Sequence, residues 1–195
     1  MVRNNTLEIF RNLLADSPTS LARYIDLVPA AVLVLIFLRD GEYFIVLNKR
    51  TEKVEYHKGE VCFPGGGQDP DDVSPWATAL RETREEMGID ESQVASLGRL
   101  EPVITSTRFV IYPYVGAVSY PYSCSVNGDE IAEVFEASIS HLLNPVNQWE
   151  EPSNAVTGRN SNVAYLVDGH RIVGATARIL TQILEIFQRA FAQED

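Results

Sequence analysis

Cysteine is scarce in this chain: the 195 residues contain two, Cys62 and Cys124, with no CxxC pair. That rules out a disulfide framework, and it reads the two thiols as small core or strand residues of a reducing compartment rather than as ligands. Positive charge is also in short supply, with 16 Lys and Arg against 27 Asp and Glu and a formal net charge of −11. Neutralising a nucleic-acid backbone takes a Lys/Arg-rich face, so no nucleic-acid partner is expected. An anionic small molecule would need metal ions and local cations to approach any cleft here. Long apolar runs are missing too. Pro29 to Leu38 is apolar throughout but about half the roughly 20 residues of a membrane helix, so no membrane span is expected. The first residues are polar with a helical pattern (Leu7, Ile9, Phe10, Leu13, Leu14), unlike a signal peptide. The final Ala-Gln-Glu-Asp is no peroxisomal address. A cytoplasmic location is expected. Repeats and low-complexity tracts are absent.

What is present is a 45% apolar composition, enough for one domain over residues 1–195 with a full-sized core. A glycine run, Phe63-Pro64-Gly65-Gly66-Gly67, precedes Arg81-Glu82-Thr83-Arg84-Glu85-Glu86-Met87-Gly88-Ile89. The run reads as a flexible turn. Glu82, Glu85 and Glu86 stand at i, i+3 and i+4, so one helical face carries all three. Trp76, Ala79, Leu80, Thr83 and Met87 form a stripe roughly 120° away, so one helix can bury its apolar side and hold its acids toward a cleft. Ser74 suits the N-cap, Pro75 the first helical position and Gly88 the left-handed stop, which predicts a helix over about 75–87.

Hard divalent cations take oxygen ligands, and Mg²⁺ is commonly held by a few carboxylates together with substrate phosphates. A glutamate-rich helix is more often a plain solvated face, and Arg81 with Glu85 is an ordinary helix ion pair. The glycine turn upstream and the glycine stop downstream favour a metal-assisted phosphate site.

These residues resemble the Nudix hydrolase signature, which runs Gly, five residues, Glu, seven residues, then Arg-Glu-aliphatic-x-Glu-Glu-x-Gly-aliphatic. Arg81, Glu82, Glu85, Glu86, Gly88 and Ile89 match it. Thr83 stands where an aliphatic is usual. Counting back from Arg81 puts Val73 at the first Glu position; counting forward from the glycines puts Asp72 there, with one extra loop residue. The box spans about residues 66–89.

Flanking residues are similar to the coenzyme A pyrophosphatase branch. Leu47-Asn48-Lys49-Arg50-Thr51, His57-Lys58-Gly59-Glu60-Val61-Cys62-Phe63-Pro64-Gly65-Gly66 and Gly67-Gln68-Asp69-Pro70-Asp71-Asp72 carry the likeness. So do Phe109 to Gly116 and Ile172 to Leu180. One departure is Glu55, where that branch usually has Arg; it weakens the case for coenzyme A more than the case for a Nudix hydrolase.

The resemblance implies an α/β fold, an α/β/α sandwich with a mixed central sheet, and a Mg²⁺- or Mn²⁺-dependent hydrolase of small-molecule nucleotides. Coenzyme A or its thioesters are the favoured substrates. Another nucleoside diphosphate derivative, such as ADP-ribose or a dinucleotide, and a non-catalytic nucleotide-binding module are the alternatives. A homodimer stays open as the assembly. Glu85 and Glu86 are implied metal ligands, with Glu82 a third ligand or the general base. The Gly65 carbonyl is expected to complete the shell, because glycine lets the chain approach an ion closely. Arg81 is expected to orient a helix carboxylate. Glu130 resembles the later acid of the family and reads as ligand, base or solubilising strand charge; Glu133 is the second choice. Arg50, Lys58 and Arg108 are candidate phosphate contacts, and His57 reads as a loop hydrogen-bonder.

The patterning predicts a helix at 5–15, strands at 29–38 and 43–49 around a tight Asp40-Gly41 turn, and strands at 96–104, 109–118 and 130–137. A short helix at 138–143, short strands within 163–172 and a final helix at 174–192 follow, the last with Ile179, Leu180, Ile183, Leu184 and Phe187 as its apolar face. Pro145 to Asn162 is expected to be a surface excursion near the site mouth.

Overall fold

An apolar run such as Val28–Arg39 makes a stable strand when both of its faces are covered. In a computed structural model, which describes residues 4–15, 26–53, 58–151 and 163–193, both faces are covered. Glu55 and His57 fall outside the described residues.

In chain order the elements are α1 (Asn4–Ala15), β1 (Val28–Arg39), β2 (Glu42–Arg50), β3 (Val61–Cys62), β4 (Gly65–Gly67), α2 (Pro75–Met87), β5 (Ala95–Arg99), β6 (Val103–Ile104), β7 (Phe109–Ala117), β8 (Ile131–Ser138), α3 (Ile139–Leu143), β9 (Gln148–Glu150), β10 (Val163–Val167), β11 (His170–Ile172) and α4 (Gly174–Phe191). β1 is central. It runs parallel to β7, from Val28 opposite Phe109 to Ile36 opposite Ala117, and antiparallel to β2 and β4. β3 and β8 pair with β2, and β5 and β6 with β7.

Alternation along β1 divides the core. Ala31, Leu33, Leu35 and Phe37 pack with Ala79 and Met87 of α2. Val34 and Ile36 pack on the opposite face, in the cluster formed with Phe10 and Leu14 of α1 and Leu180, Ile183 and Phe187 of α4. Each Val, Leu, Ile, Phe or Met among these, fully buried, contributes about 1.5–3 kcal/mol. The result is the mixed-sheet α/β/α sandwich. Among the described residues no helix is long and apolar enough to cross a membrane.

Three local expectations need correction. The glycine run is not a free turn: Gly65–Gly67 is a strand, with Gly67, Gly66 and Gly65 opposite Ala30, Ala31 and Val32. The single strand expected at 96–104 is two, separated at Leu100–Pro102, where Leu100 N–H turns to Pro113 O; Pro102 has no N–H to continue a ladder. The described part of the 145–162 excursion is ordered as a 3₁₀ turn at Pro145–Asn147 followed by β9, which joins β10 and β11 in a second sheet.

Candidate active site

Helix α2 has the ends its sequence encodes. Ser74 Oγ accepts from Ala77 N–H at 3.2 Å, Pro75 opens the helix, and Gly88 closes it at φ 66° with its N–H on Arg84 O. Thr83, at the usually aliphatic position, is buried because its hydroxyl donates to Ala79 O at 2.7 Å within the same helix.

The three glutamates share one side of α2 but not one environment. Glu86 is 1% exposed, whereas the Glu85 side chain is 51% exposed and pairs with Arg81 Nη1 at 2.9 Å. Glu82 lies between these extremes, against Gly66. A Cβ added at Gly66 would sit 2.6 Å from Glu82 Oε1, and one at Gly65, where φ is +152°, would sit 2.3 Å from Ala31 O. Bare backbone at these two positions lets the helix acids rest on β4.

Glu86 Oε2 accepts from Gly65 N–H at 3.2 Å and from Asn48 Nδ2 at 3.1 Å; Oε1 faces Arg50 Nη1 at 3.3 Å. Burial pushes the Glu86 carboxyl up to about 7, against the pull of the Gly65 N–H and Arg50, with Glu82 adding to the rise. Burial also raises Glu82; Arg81 opposes this, while Glu85 and Glu130 reinforce it. Crowded, desolvated carboxylates of this kind are stabilised by a nearby cation.

Arg81 gathers the surrounding oxygens. Its guanidinium meets Asp72 Oδ1 at 3.1 Å and Oδ2 at 3.0 Å, Gly67 O at 3.2 Å, and Glu82 Oε1 at 3.0 Å. The hydrogen bonds from Arg81 hold Asp72 down at about 2 and raise the guanidinium in turn. Val73 is 93% exposed. Of the two ways of counting the loop, the forward one therefore finds the acid that meets Arg81.

Glu130 precedes β8, with its carbonyl accepting from Thr51 N–H at 2.8 Å and its Oε1 3.5 Å from Asn127 Nδ2; its charge is felt at Glu82. Glu133 points elsewhere, to His170 Nε2 at 3.3 Å. Arg50 reaches Glu86, and its Nε is buried without a hydrogen-bond partner. Lys58 is exposed in the turn before β3, and Arg108, in the β6–β7 turn, donates to Asp26 O at 3.2 Å. Neither of these two forms an ion pair with a helix glutamate. Asn48 and Cys62 line the site although neither was singled out from sequence. The available signal was Asn48, polar directly after the apolar run Tyr43 to Leu47 and in phase with Val46 and Arg50.

The donor set is oxygen throughout, which fits a hard divalent cation better than a soft one. Among the described residues no three acid, His or Cys side chains converge into a finished coordination sphere. Glu82 and Glu86 are the acids already turned onto the glycine strand.

The family model for the NUDIX domain matches residues 27–162. The chain is 35% identical to the mouse (Mus musculus) peroxisomal coenzyme A diphosphatase NUDT7 over 146 residues, covering 74% of this chain and 61% of that protein. It is 37% identical to the mouse mitochondrial coenzyme A diphosphatase NUDT8 over 171 residues, covering 84% and 80%. A Nudix hydrolase of Photorhabdus laumondii, NudL, is 34% identical over 160 residues, covering 82% and 84%. Of solved structures, a MutT/nudix family protein from Enterococcus faecalis superposes with a TM-score of 0.54 at 15% identity, covering 93% of this chain and 73% of that one. That likeness concerns the fold alone.

Proposed function

The chain belongs to the NUDIX family of hydrolases, and from that premise we propose that it cleaves the diphosphate of coenzyme A or its thioesters, giving 3′,5′-ADP and a 4′-phosphopantetheine. The observation that carries this reading is Glu86, buried on Gly65 N–H, Asn48 and Arg50, with Glu82 beside it against Gly66. Similarity to two coenzyme A diphosphatases supports the substrate class.

Nudix hydrolases in general use divalent metal ions, and Mg²⁺ or Mn²⁺, when bound, would neutralise phosphate oxygens and make water more acidic. Glu85, Glu86 and the Gly65 carbonyl would hold the ions, with Glu82 as a third ligand or the base and Glu130 as the alternative for either role. As the base, the carboxylate of Glu82 would take a proton from the attacking water. As the water oxygen bonds to phosphorus, the bond from that phosphorus to the bridging oxygen breaks. Arg81 holds Glu82 and Glu85 in place. The partly exposed guanidinium of Arg50 would meet a phosphate oxygen, with Lys58 and Arg108 as outer cations for the incoming anion.

Glu55, where the coenzyme A branch usually carries Arg, supports a second reading: the same chemistry on ADP-ribose or a dinucleotide. A panel of diphosphates incubated with Mg²⁺ or Mn²⁺, with products resolved by mass, decides between them. Cleavage of coenzyme A is the expected outcome. Cleavage of ADP-ribose with coenzyme A untouched selects the second reading, and tight binding without cleavage selects a non-catalytic module.

A further inference from the structure

Asn48 and Cys62 are cross-strand partners on β2 and β3. Their side chains form a two-step hydrogen-bond chain. Cys62 Sγ donates to Asn48 Oδ1 at 2.7 Å, and Asn48 Nδ2 donates to Glu86 Oε2 at 3.1 Å. Asn48 is fully buried and Cys62 partly so.

A carboxamide can present either end to a neighbour. Turned over, Asn48 would set its oxygen against the Glu86 carboxylate, acceptor facing acceptor, and leave its N–H groups to sulfur, a weak acceptor. Both neighbours therefore favour the orientation in which Nδ2 faces Glu86: the carboxylate accepts from Nδ2, and the thiol hydrogen meets Oδ1 and holds the other end. Together with Gly65 N–H, that donor occupies Oε2 and fixes the rotation of the carboxylate, leaving Oε1 on the Arg50 side.

We propose that Cys62 and Asn48 are positioning residues for the reaction: the thiol orients the carboxamide, and the carboxamide orients the Glu86 carboxylate. This rests on the proposed hydrolase reading. It goes beyond it in giving a cysteine a role through its S–H donor, without any covalent chemistry. Serine would keep the donor; alanine or valine would not.

The test compares wild type with Cys62→Ala, Cys62→Val and Cys62→Ser. It measures kcat and KM on a diphosphate that the wild type cleaves, and Mn²⁺ affinity by calorimetry without substrate. Melting curves verify the fold, and Cys62→Val, which fills the thiol's volume, replaces Cys62→Ala if the smaller side chain impairs folding. Loss of one such hydrogen bond is expected to lower kcat about five- to tenfold with KM nearly unchanged, and to weaken Mn²⁺ binding by a similar factor. Cys62→Ser should recover both to within about twofold. Donor-free variants indistinguishable from wild type overturn the proposal, as does a serine variant as impaired as alanine. If the wild type cleaves no diphosphate, the hydrolase reading fails separately, and the relay is judged by the same comparison of Mn²⁺ affinity. A wild type that binds no Mn²⁺ overturns both.

Discussion

Arg81 and Asp72 are joined by two hydrogen bonds, Nε to Oδ1 at 3.1 Å and Nη2 to Oδ2 at 3.0 Å. Asp72 also accepts from Asp69 N–H at 2.9 Å, so the loop is closed on itself before it meets the helix. The same guanidinium reaches Glu82 and Glu85. One cation thus links the loop to two of the three helix acids, and its loss should be felt in both stability and activity.

Stability should depend on acid through this pair. Asp72 titrates at about 2 in the fold and at about 3.9 when unfolded. Its folded pKa is depressed, so its contribution is fully present above about 4 and is lost as pH falls toward about 2. Asp72→Asn should cost about 1.5 kcal/mol near neutral pH. Melting curves across this range should show the gap between wild type and variant closing as pH drops.

Glu86→Gln should lower turnover by about 100-fold or more while the fold persists, because the isosteric amide loses the charge on which the site depends. Steady-state rates with Mg²⁺ and Mn²⁺, alongside circular dichroism, check this. Unchanged rates would remove the helix from the proposed chemistry.

The two glycines should separate stability from activity. At Gly66 the atom in the way is the end of the Glu82 side chain, which can move. Gly66→Ala should therefore cost less than about 1 kcal/mol of stability yet lower turnover about tenfold or more by displacing Glu82. At Gly65 the obstacle is backbone and φ is +152°, so Gly65→Ala should cost more than about 2 kcal/mol. Denaturation curves and rates on both variants test the contrast.

The cysteines should differ in reactivity. Burial pushes the Cys62 thiol up to about 12; it also raises the Cys124 thiol, but Cys124 is the more exposed of the two. Because the thiolate is the reactive form, iodoacetamide should modify Cys124 first and Cys62 only on unfolding. Peptide mass mapping over time would show the order; equal rates would contradict a protonated, better-shielded thiol at Cys62.

Helix α2 was legible to the residue, since Ser74, Pro75 and Gly88 act within one turn of their own positions. β1 was nearly so, because an unbroken apolar run too short for a membrane has few alternatives. Gly65–Gly67 was misread because glycine has low strand propensity; β1 supplies the pairing that makes it a strand. β9 was missed for a similar reason: its pairing partner β10 lies beyond a long polar stretch.

Sequence alone determined that three carboxylates share a side of one helix, because helical pitch is a local property of the backbone. Only the tertiary structure decided their fates. Glu86 is buried, Glu82 rests on glycine backbone and Glu85 stays outside, because burial depends on what β2, β3 and β4 bring against the helix. For the same reason, the partners of Glu86 come from residues 48, 50 and 65, which no spacing rule within the helix could name.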